Sequence, residues 1–102
     1  MNMVRLNDRQ AEILYYILSD SERNERNRIY IIVGASGTGK TTLGKEIERH
    51  GIIVHDNFNW SSTKIPDLKK ECSSYPIVII MKYIPKIIDD AMIERVQVFV
   101  MN

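Results

Sequence analysis

The sequence is poor in the features that mark secreted and membrane-bound proteins. Its 102 residues include one cysteine, three prolines and five glycines. The single cysteine, Cys72, excludes an internal disulfide and is typical of a reducing compartment, so we expect a cytoplasmic protein. No apolar run approaches the roughly 18 residues that a membrane helix requires. Residues 1–5 also lack the apolar stretch of a signal peptide, and we therefore expect no membrane association.

An excess of charge of either sign is also lacking. Lysine and arginine number 14 against 13 for aspartate and glutamate, which leaves a formal net charge of +1. This balance gives no electrostatic support for a nucleic-acid partner or an acidic membrane. The length corresponds to one domain over residues 1–102, and a hydrophobic fraction of 44% allows a modest core.

The most informative segment that the chain does contain is rich in glycine. Residues 34–41 read Gly-Ala-Ser-Gly-Thr-Gly-Lys-Thr and fit the pattern G-x-x-x-x-G-K-[ST] at every fixed position. The β-branched residues 29–33 precede it, and residues 41–48 form a plausible helix. A glycine loop between a strand and a helix N-terminus directs backbone N–H groups at a phosphate. In such a loop Lys40 binds the β- and γ-phosphates, and the Thr41 hydroxyl holds Mg²⁺.

This loop makes a bound nucleotide the first functional prediction. ATP is the default nucleotide, with Mg²⁺, because the Asn-Lys-x-Asp pattern of many guanine-selective sites is absent. The nucleotide-binding residues are predicted to be Gly34, Ala35, Ser36, Gly37, Thr38, Gly39, Lys40, Thr41 and Thr42.

Helical and strand-like patterns alternate along the chain, which is typical of a parallel α/β sheet. Strands are predicted at about 29–33, 52–55, 77–81 and 96–101. Helices are predicted over 7–20 and 39–50, and also from Pro66 and from Pro85, the last with Ile88, Ala91 and Met92 inward. In the first helix Asn7 and Gln10 have capping-box spacing. Residues 1–28 are thus an N-terminal helix and linker, and residues 29–102 the nucleotide-binding core.

One acidic residue has the position that a second magnesium ligand needs. Asp56 directly follows the apolar strand 52–55, so it is expected at the carboxyl end of the sheet with Thr41. The alternative is that Asp56 only caps a turn with Asn57. Many ATPases have a glutamate base at the position of Asn57, and an amide has no useful basicity. We therefore expect slow hydrolysis.

The tail adds a family resemblance. Residues 85–96, with a proline at Pro85 and an arginine at Arg95, resemble the segment that follows the sensor strand of AAA+ ATPases. Residues 29–101 as a whole resemble P-loop NTPases of the additional-strand class, as a miniature AAA+ or FtsK/HerA-like ATPase core. The strand between the loop and the acidic strand is missing, and so is the helical lid of AAA+ proteins.

The resemblance implies a specific fold and a specific arrangement of subunits. It implies a P-loop NTPase-like three-layer sandwich: a four-stranded parallel sheet with helices on both faces, in the spatial order fourth, first, third, second. Lys82 then lies between Lys40 and Asp56, facing the γ-phosphate or simply exposed. Arg95 either reaches the ATP of a neighbouring subunit, which implies a homo-oligomer or a larger ATPase partner, or acts within its own chain. The catalytic residues implied are Lys40, Asp56 and Arg95.

Three functions remain open from the sequence. The first is an ATP- or NTP-Mg²⁺-binding domain with slow or partner-dependent hydrolysis, an ATPase within a nucleic-acid or protein-remodelling system. The second is a non-catalytic P-loop module that binds a larger protein. The third is a small nucleotide-kinase-like phosphotransferase, although beyond the loop only Arg49 and Arg95 are available to clamp phosphates. Phe58, Trp60 and Tyr83 either stack on a base or fold back onto the core.

Overall fold

The structure, a computed structural model, describes residues 5–86 and 94–101. From the first helix to the third strand, helices and strands alternate, as the sequence pattern predicts. The helices are α1 (Asp8–Arg23), α2 (Lys40–Arg49) and α3 (Ile65–Cys72), with a short 3-10 turn (Ser62–Lys64) before α3. The strands are β1 (Ile29–Val33), β2 (Ile53–His55), β3 (Ile77–Met81) and β4 (Val96–Val100).

The strands form one parallel sheet in the order β2-β3-β1-β4. β1 pairs with β3 from Ile29 opposite Ile77, and it pairs with β4 from Ile29 opposite Val96. This order confirms the predicted arrangement, in which the third strand of the chain lies between the first and the second. All five residues of β1 are buried, in keeping with the continuous apolar sequence expected of a central parallel strand.

Helices cover both faces of the sheet. Alternate residues of β1 point to opposite faces, so Tyr30 and Ile32 pack with α1 and α2, and Ile31 and Val33 pack with α3. The side chains that the helices bury are Ile13, Ile17, Leu43, Ile47, Ile65, Leu68 and Cys72. Full burial of an aliphatic side chain of this size stabilises the fold by about 1.5–3 kcal/mol. The sandwich of helix, sheet and helix layers therefore has an apolar core on each side.

The first helix is capped as predicted but is longer than predicted. The Asn7 side chain accepts from Gln10 N and the Gln10 side chain accepts from Asn7 N, which confirms the capping box. The helix ends at Arg23, not at residue 20, because its backbone bonding continues until Asn24 N donates to Asp20 O at 2.9 Å. The polar linker is correspondingly short. The helix predicted from Pro85 falls on residues 87–93, outside the described ranges.

A buried hydrogen bond fixes α1 to the sheet. The Tyr30 hydroxyl in β1 donates to Asp20 Oδ2 at 2.6 Å, and Arg28 Nε lies 3.4 Å from the same oxygen. Burial, and then the hydrogen bond to Asp20, raise the pKa of Tyr30 far above its ordinary value. The phenol therefore stays protonated, and a tyrosine is accommodated at a central position that an aliphatic side chain would normally occupy.

Candidate functional site

The glycine loop lies at the carboxyl end of the sheet, between β1 and α2. Gly39 is the N-cap of α2 and has a φ of 88°, in the left-handed region that favours glycine. A side chain at Gly39 would also collide with the Gln10 side chain. The first turn of α2, which is fully described, contains no acidic side chain. No acidic side chain of the helix itself therefore competes for the positive end of the helix dipole beside the loop.

The loop is closed by its own hydrogen bonds. Thr38 Oγ1 donates to the Ala35 carbonyl at 2.8 Å. The Lys40 ammonium donates to the Gly34 carbonyl and, at 3.3 Å, to the Ala35 carbonyl. Lys40 thus lies over the loop where a phosphate would sit, and it can exchange these neutral acceptors for a charged phosphate oxygen, which is the stronger partner.

The predicted acid meets the loop. Thr41 Oγ1 donates to Asp56 Oδ2 at 3.0 Å, although the two residues are 15 positions apart in sequence. The other carboxylate oxygen accepts from Asn57 N at 2.7 Å, so Asp56 also caps a turn. Asp56 therefore contacts both Thr41 and the turn at Asn57, and whether it also holds Mg²⁺ stays a prediction. A threonine hydroxyl and one carboxylate are hard oxygen ligands of the kind that Mg²⁺ takes alongside phosphate oxygens and water.

These groups line one cleft. Its volume is about 390 Å³, and Lys40, Thr41, Asp56, Asn57 and Lys82 are among its lining residues. Lys82 follows the last residue of β3, and β3 lies between the strand that leads into the loop and the strand that ends at Asp56. The predicted position of Lys82 is therefore confirmed. Whether it contacts a γ-phosphate stays a prediction.

Neighbouring contacts hold the acidic segment in place. Phe58 N donates to the Ile80 carbonyl at 3.0 Å, which fixes the residues after Asp56 to β3. His55 Nε2 lies 2.5 Å from Glu71 Oε1, which joins the end of β2 to α3. Sequence reasoning missed the His55–Glu71 pair, because nothing in the spacing of the two residues indicates that β2 and α3 pack together.

Arg95 is not brought to the loop of its own chain. It precedes β4, and its carbonyl accepts from Ile29 N at 2.8 Å, at the amino end of the sheet. The loop begins after Val33, so five residues of strand separate the two ends, or about 16 Å at 3.3 Å per residue. The backbone of Arg95 thus lies at the opposite end of the sheet from the loop, and its predicted role within its own chain stays a prediction. A role at the site of a neighbouring subunit stays a prediction.

A second, larger cleft adjoins the first. Its volume is about 910 Å³, and it shares Asn57, Met81 and Lys82 with the loop cleft. Its residues Phe58 and Trp60 pack against the α3 side of the core, with ring centroids 6.2 Å apart. These two aromatics therefore fold back onto the core, as one of the two predicted alternatives has it. Tyr83 is 79% exposed, and stacking on a base stays a prediction.

Gln10 is the residue of the site that the sequence did not reveal. Its Nε2 donates to the Gly39 carbonyl at 2.9 Å, so α1 contacts the loop directly. The sequence identifies Gln10 only as a capping residue, because this second bond depends on how α1 packs against α2.

Comparisons with known proteins were made at the levels of family, sequence and structure. No protein-family model, curated protein or solved structure matches the chain. Among residues 5–86 and 94–101, no helix is both long enough and apolar enough to cross a membrane. The function must therefore be argued from the geometry of the site.

Proposed function

We propose that the protein binds a nucleoside triphosphate with Mg²⁺, ATP by default, in the cleft between the glycine loop and Asp56. The observation that carries the proposal is the 3.0 Å contact between Thr41 Oγ1 and Asp56 Oδ2. It joins the last residue of a phosphate-loop pattern to the only acid that the sequence places at a strand end nearby. A carboxylate is also favourable at the start of any helix, so the proposal depends on its combination with the phosphate-loop pattern.

Each group has a role that follows from its chemistry. The N–H groups at the start of α2 and the Lys40 ammonium bind phosphate oxygens. Thr41 and Asp56 would hold Mg²⁺, which when bound neutralises charge on the phosphates. Lys82 lines the same cleft and supplies a second positive charge. One carboxylate among these cations gives a site whose net charge suits a polyanion.

The strand order supports the additional-strand class of P-loop NTPases. In that class a strand lies between the loop strand and the acidic strand, and here β3 lies between β1 and β2. In kinase-like P-loop proteins the acidic strand pairs directly with the loop strand. The kinase-like phosphotransferase therefore loses the support that a β1–β2 pair would have given it.

We propose slow or partner-dependent hydrolysis for this domain. Asn57 follows Asp56 and lines the cleft, and its amide orients water without accepting a proton. Arg95 begins at the opposite end of the sheet from the loop, which favours a stabilising charge from a second subunit or a larger ATPase. A non-catalytic, nucleotide-binding module is the second candidate, and the same Asn57 favours it.

Titration calorimetry with ATP tests the proposal directly. We expect binding in the presence of Mg²⁺ and weaker binding in EDTA, because Thr41 and Asp56 act only through the metal. Inorganic phosphate and ADP serve as matched ligands of lower charge and should bind more weakly than ATP. Absence of heat for ATP at millimolar protein and ligand, with the protein folded by circular dichroism, would contradict the proposal. Phosphate release measured over hours then separates the slow ATPase from the non-catalytic module.

A further inference from the structure

Among the residues that the structure describes, Gln10 stands out as a polar side chain that is buried. It is 5% exposed, although it belongs to the first turn of a surface helix. Both ends of its amide are occupied: Oε1 accepts from Asn7 N at 2.8 Å, and Nε2 donates to the Gly39 carbonyl at 2.9 Å. A buried amide whose oxygen and nitrogen both have partners has a defined structural task.

The partners of Gln10 fix its orientation. Asn7 N is a donor and needs the amide oxygen, whereas the Gly39 carbonyl is an acceptor and needs the amide nitrogen. If the amide were flipped, its nitrogen would face the donor Asn7 N, and its oxygen would face the acceptor Gly39 carbonyl. Neither pair could form a hydrogen bond. Gln10 therefore links the N-cap of α1 to the N-cap of α2 through a single side chain in a single orientation.

The bond from Gln10 acts on the peptide between Gly39 and Lys40, at the start of α2. The Gly39 carbonyl and the Lys40 N–H belong to the same planar trans peptide, so they point in opposite directions. Fixing the carbonyl toward α1 therefore fixes the Lys40 N–H toward the loop. The carbonyl also accepts from Leu43 N at 3.1 Å, and the two donors together define the plane of this peptide.

A second contact keeps α1 at this end of the sheet. Arg9 donates from Nε and Nη2 to the Val100 carbonyl at 3.2 and 3.1 Å, at the carboxyl end of β4. The start of α1 is thus attached both to the loop and to the neighbouring strand. Two successive residues, Arg9 and Gln10, therefore set the position of α1 relative to the loop.

We propose that Gln10 is a positioning residue of the phosphate loop, which holds the Gly39–Lys40 peptide in the orientation that binds phosphate before the ligand arrives. The inference rests on the proposed function of the loop. Preorganisation of this kind raises affinity because the ligand does not have to order the loop. It also makes α1 part of the nucleotide site, and not merely a cover for the core.

Three variants separate positioning from helix stability. Gln10→Glu keeps an oxygen for Asn7 N, so the capping box survives, but it has no donor for the Gly39 carbonyl. Gln10→Met has a similar length and no charge, and it also loses the donor. Asn7→Ala is the matched control, because it weakens the cap of α1 and leaves the Gln10–Gly39 bond in place.

We expect both Gln10 variants to bind Mg²⁺-ATP about three- to tenfold more weakly, the effect of one hydrogen bond. Asn7→Ala should change affinity less than twofold, even though it lowers the melting temperature. In the ligand-free protein, hydrogen exchange at Leu43 N, which donates to the Gly39 carbonyl, should be faster in Gln10→Met than in Asn7→Ala. Equal affinity losses in Gln10→Met and Asn7→Ala, or parental exchange at Leu43 N in Gln10→Met, would overturn the inference.

The exchange measurement also separates this inference from the function on which it rests. If Lys40→Ala binds ATP as the parent does, the proposed function fails. Hydrogen exchange at Leu43 N in Gln10→Met still reports whether Gln10 orders the Gly39–Lys40 peptide. If Lys40→Ala abolishes binding while Gln10→Met binds and exchanges as the parent does, the function stands and the positioning role of Gln10 fails.

Discussion

The two ends of the sheet contain polar groups of the same kinds but use them differently. At the amino end, Arg28 Nη1 donates to the Glu94 carbonyl at 2.9 Å, and Ile77 N donates to the Arg28 carbonyl at 3.1 Å. These groups bond to one another and complete the starts of strands. At the carboxyl end, Lys40, Asp56 and Lys82 line a common cleft. Charged residues at the amino end thus complete the starts of strands, whereas those at the carboxyl end face the cleft of the proposed ligand.

The largest effect that tests this difference between the two ends of the sheet is expected from substitution of the loop lysine, Lys40. Lys40→Ala should weaken triphosphate binding by about 3 kcal/mol or more, because a charged contact to phosphate is lost. The melting temperature should stay near that of the parent. Lys45→Ala, an exposed lysine of the same helix, is the control and should leave affinity unchanged. Parental ATP binding by Lys40→Ala would remove the phosphate-loop assignment.

Substitution of Asp56 should weaken ATP binding less than substitution of Lys40, and only when Mg²⁺ is present. Asp56→Asn keeps an oxygen for Asn57 N but loses the charge that would face Mg²⁺. We expect the enhancement of ATP binding by Mg²⁺ to fall by about 1.5 kcal/mol, with binding in EDTA unchanged. Calorimetry with and without Mg²⁺ measures both quantities. An equal loss under the two conditions would assign Asp56 to turn capping alone.

Tyr30 and Asp20, away from the cleft, should affect stability and not binding. Tyr30→Phe removes the bond to Asp20 and should lower the free energy of unfolding by about 1–2 kcal/mol. Denaturation with urea measures this change, and ATP affinity should not move. A loss of affinity in Tyr30→Phe would mean that the core bond and the loop are coupled.

The same tyrosine predicts a pH dependence. The folded-state pKa of Tyr30 is raised, so the folded protein keeps a proton that the unfolded chain releases above about pH 10. This contribution to stability is complete below pH 10 and is lost as the pH rises further, at about 1.4 kcal/mol per pH unit. Tyr30→Phe should lose stability less steeply than the parent between pH 10 and 11. Identical slopes would contradict the raised pKa.

Substitution of Asn57 by glutamate should raise the rate of hydrolysis at a small loss of stability. Asn57→Glu would place a carboxylate beside Asp56, where it can accept a proton from water, and should raise the rate of hydrolysis. Asn57 has a φ of 53°, in the left-handed region that glutamate adopts less readily, so a stability loss of about 1 kcal/mol is expected. Asn57→Gln is the control for size. An unchanged rate of phosphate release in Asn57→Glu would show that more than a base is missing.

The features that the sequence predicted are those with a local physical cause. Apolar segments rich in β-branched residues predicted β1 and β3, and the glycine pattern placed the loop between β1 and α2. The resemblance predicted the strand order and thereby the meeting of Thr41 with Asp56. The end of α1 was wrong by three residues, because polar residues such as Ser21 and Arg23 are compatible with either a helix or a linker.

The features that the sequence did not predict depend on packing between distant elements. The bond from Gln10 to Gly39 and the pair of His55 with Glu71 join segments whose contact has no signal in residue spacing. The register of β4 likewise was not predicted, and it places Arg95 at the amino end of the sheet, away from the loop of its own chain. Long-range register, and not local propensity, decides such cases.

The strand order also has a consequence for how the site forms during synthesis. Both neighbours of β1 come later in the chain, and Ile29 pairs with Ile77 and with Val96. A nascent chain that ends before residue 77 contains the whole glycine motif and Asp56, yet β1 has no strand to pair with. Such pairings between distant segments form late, since the intervening chain must first be closed into a loop. A ribosome-bound fragment of 75 residues should therefore bind no nucleotide, and the ability to bind should emerge only when β3 joins the sheet.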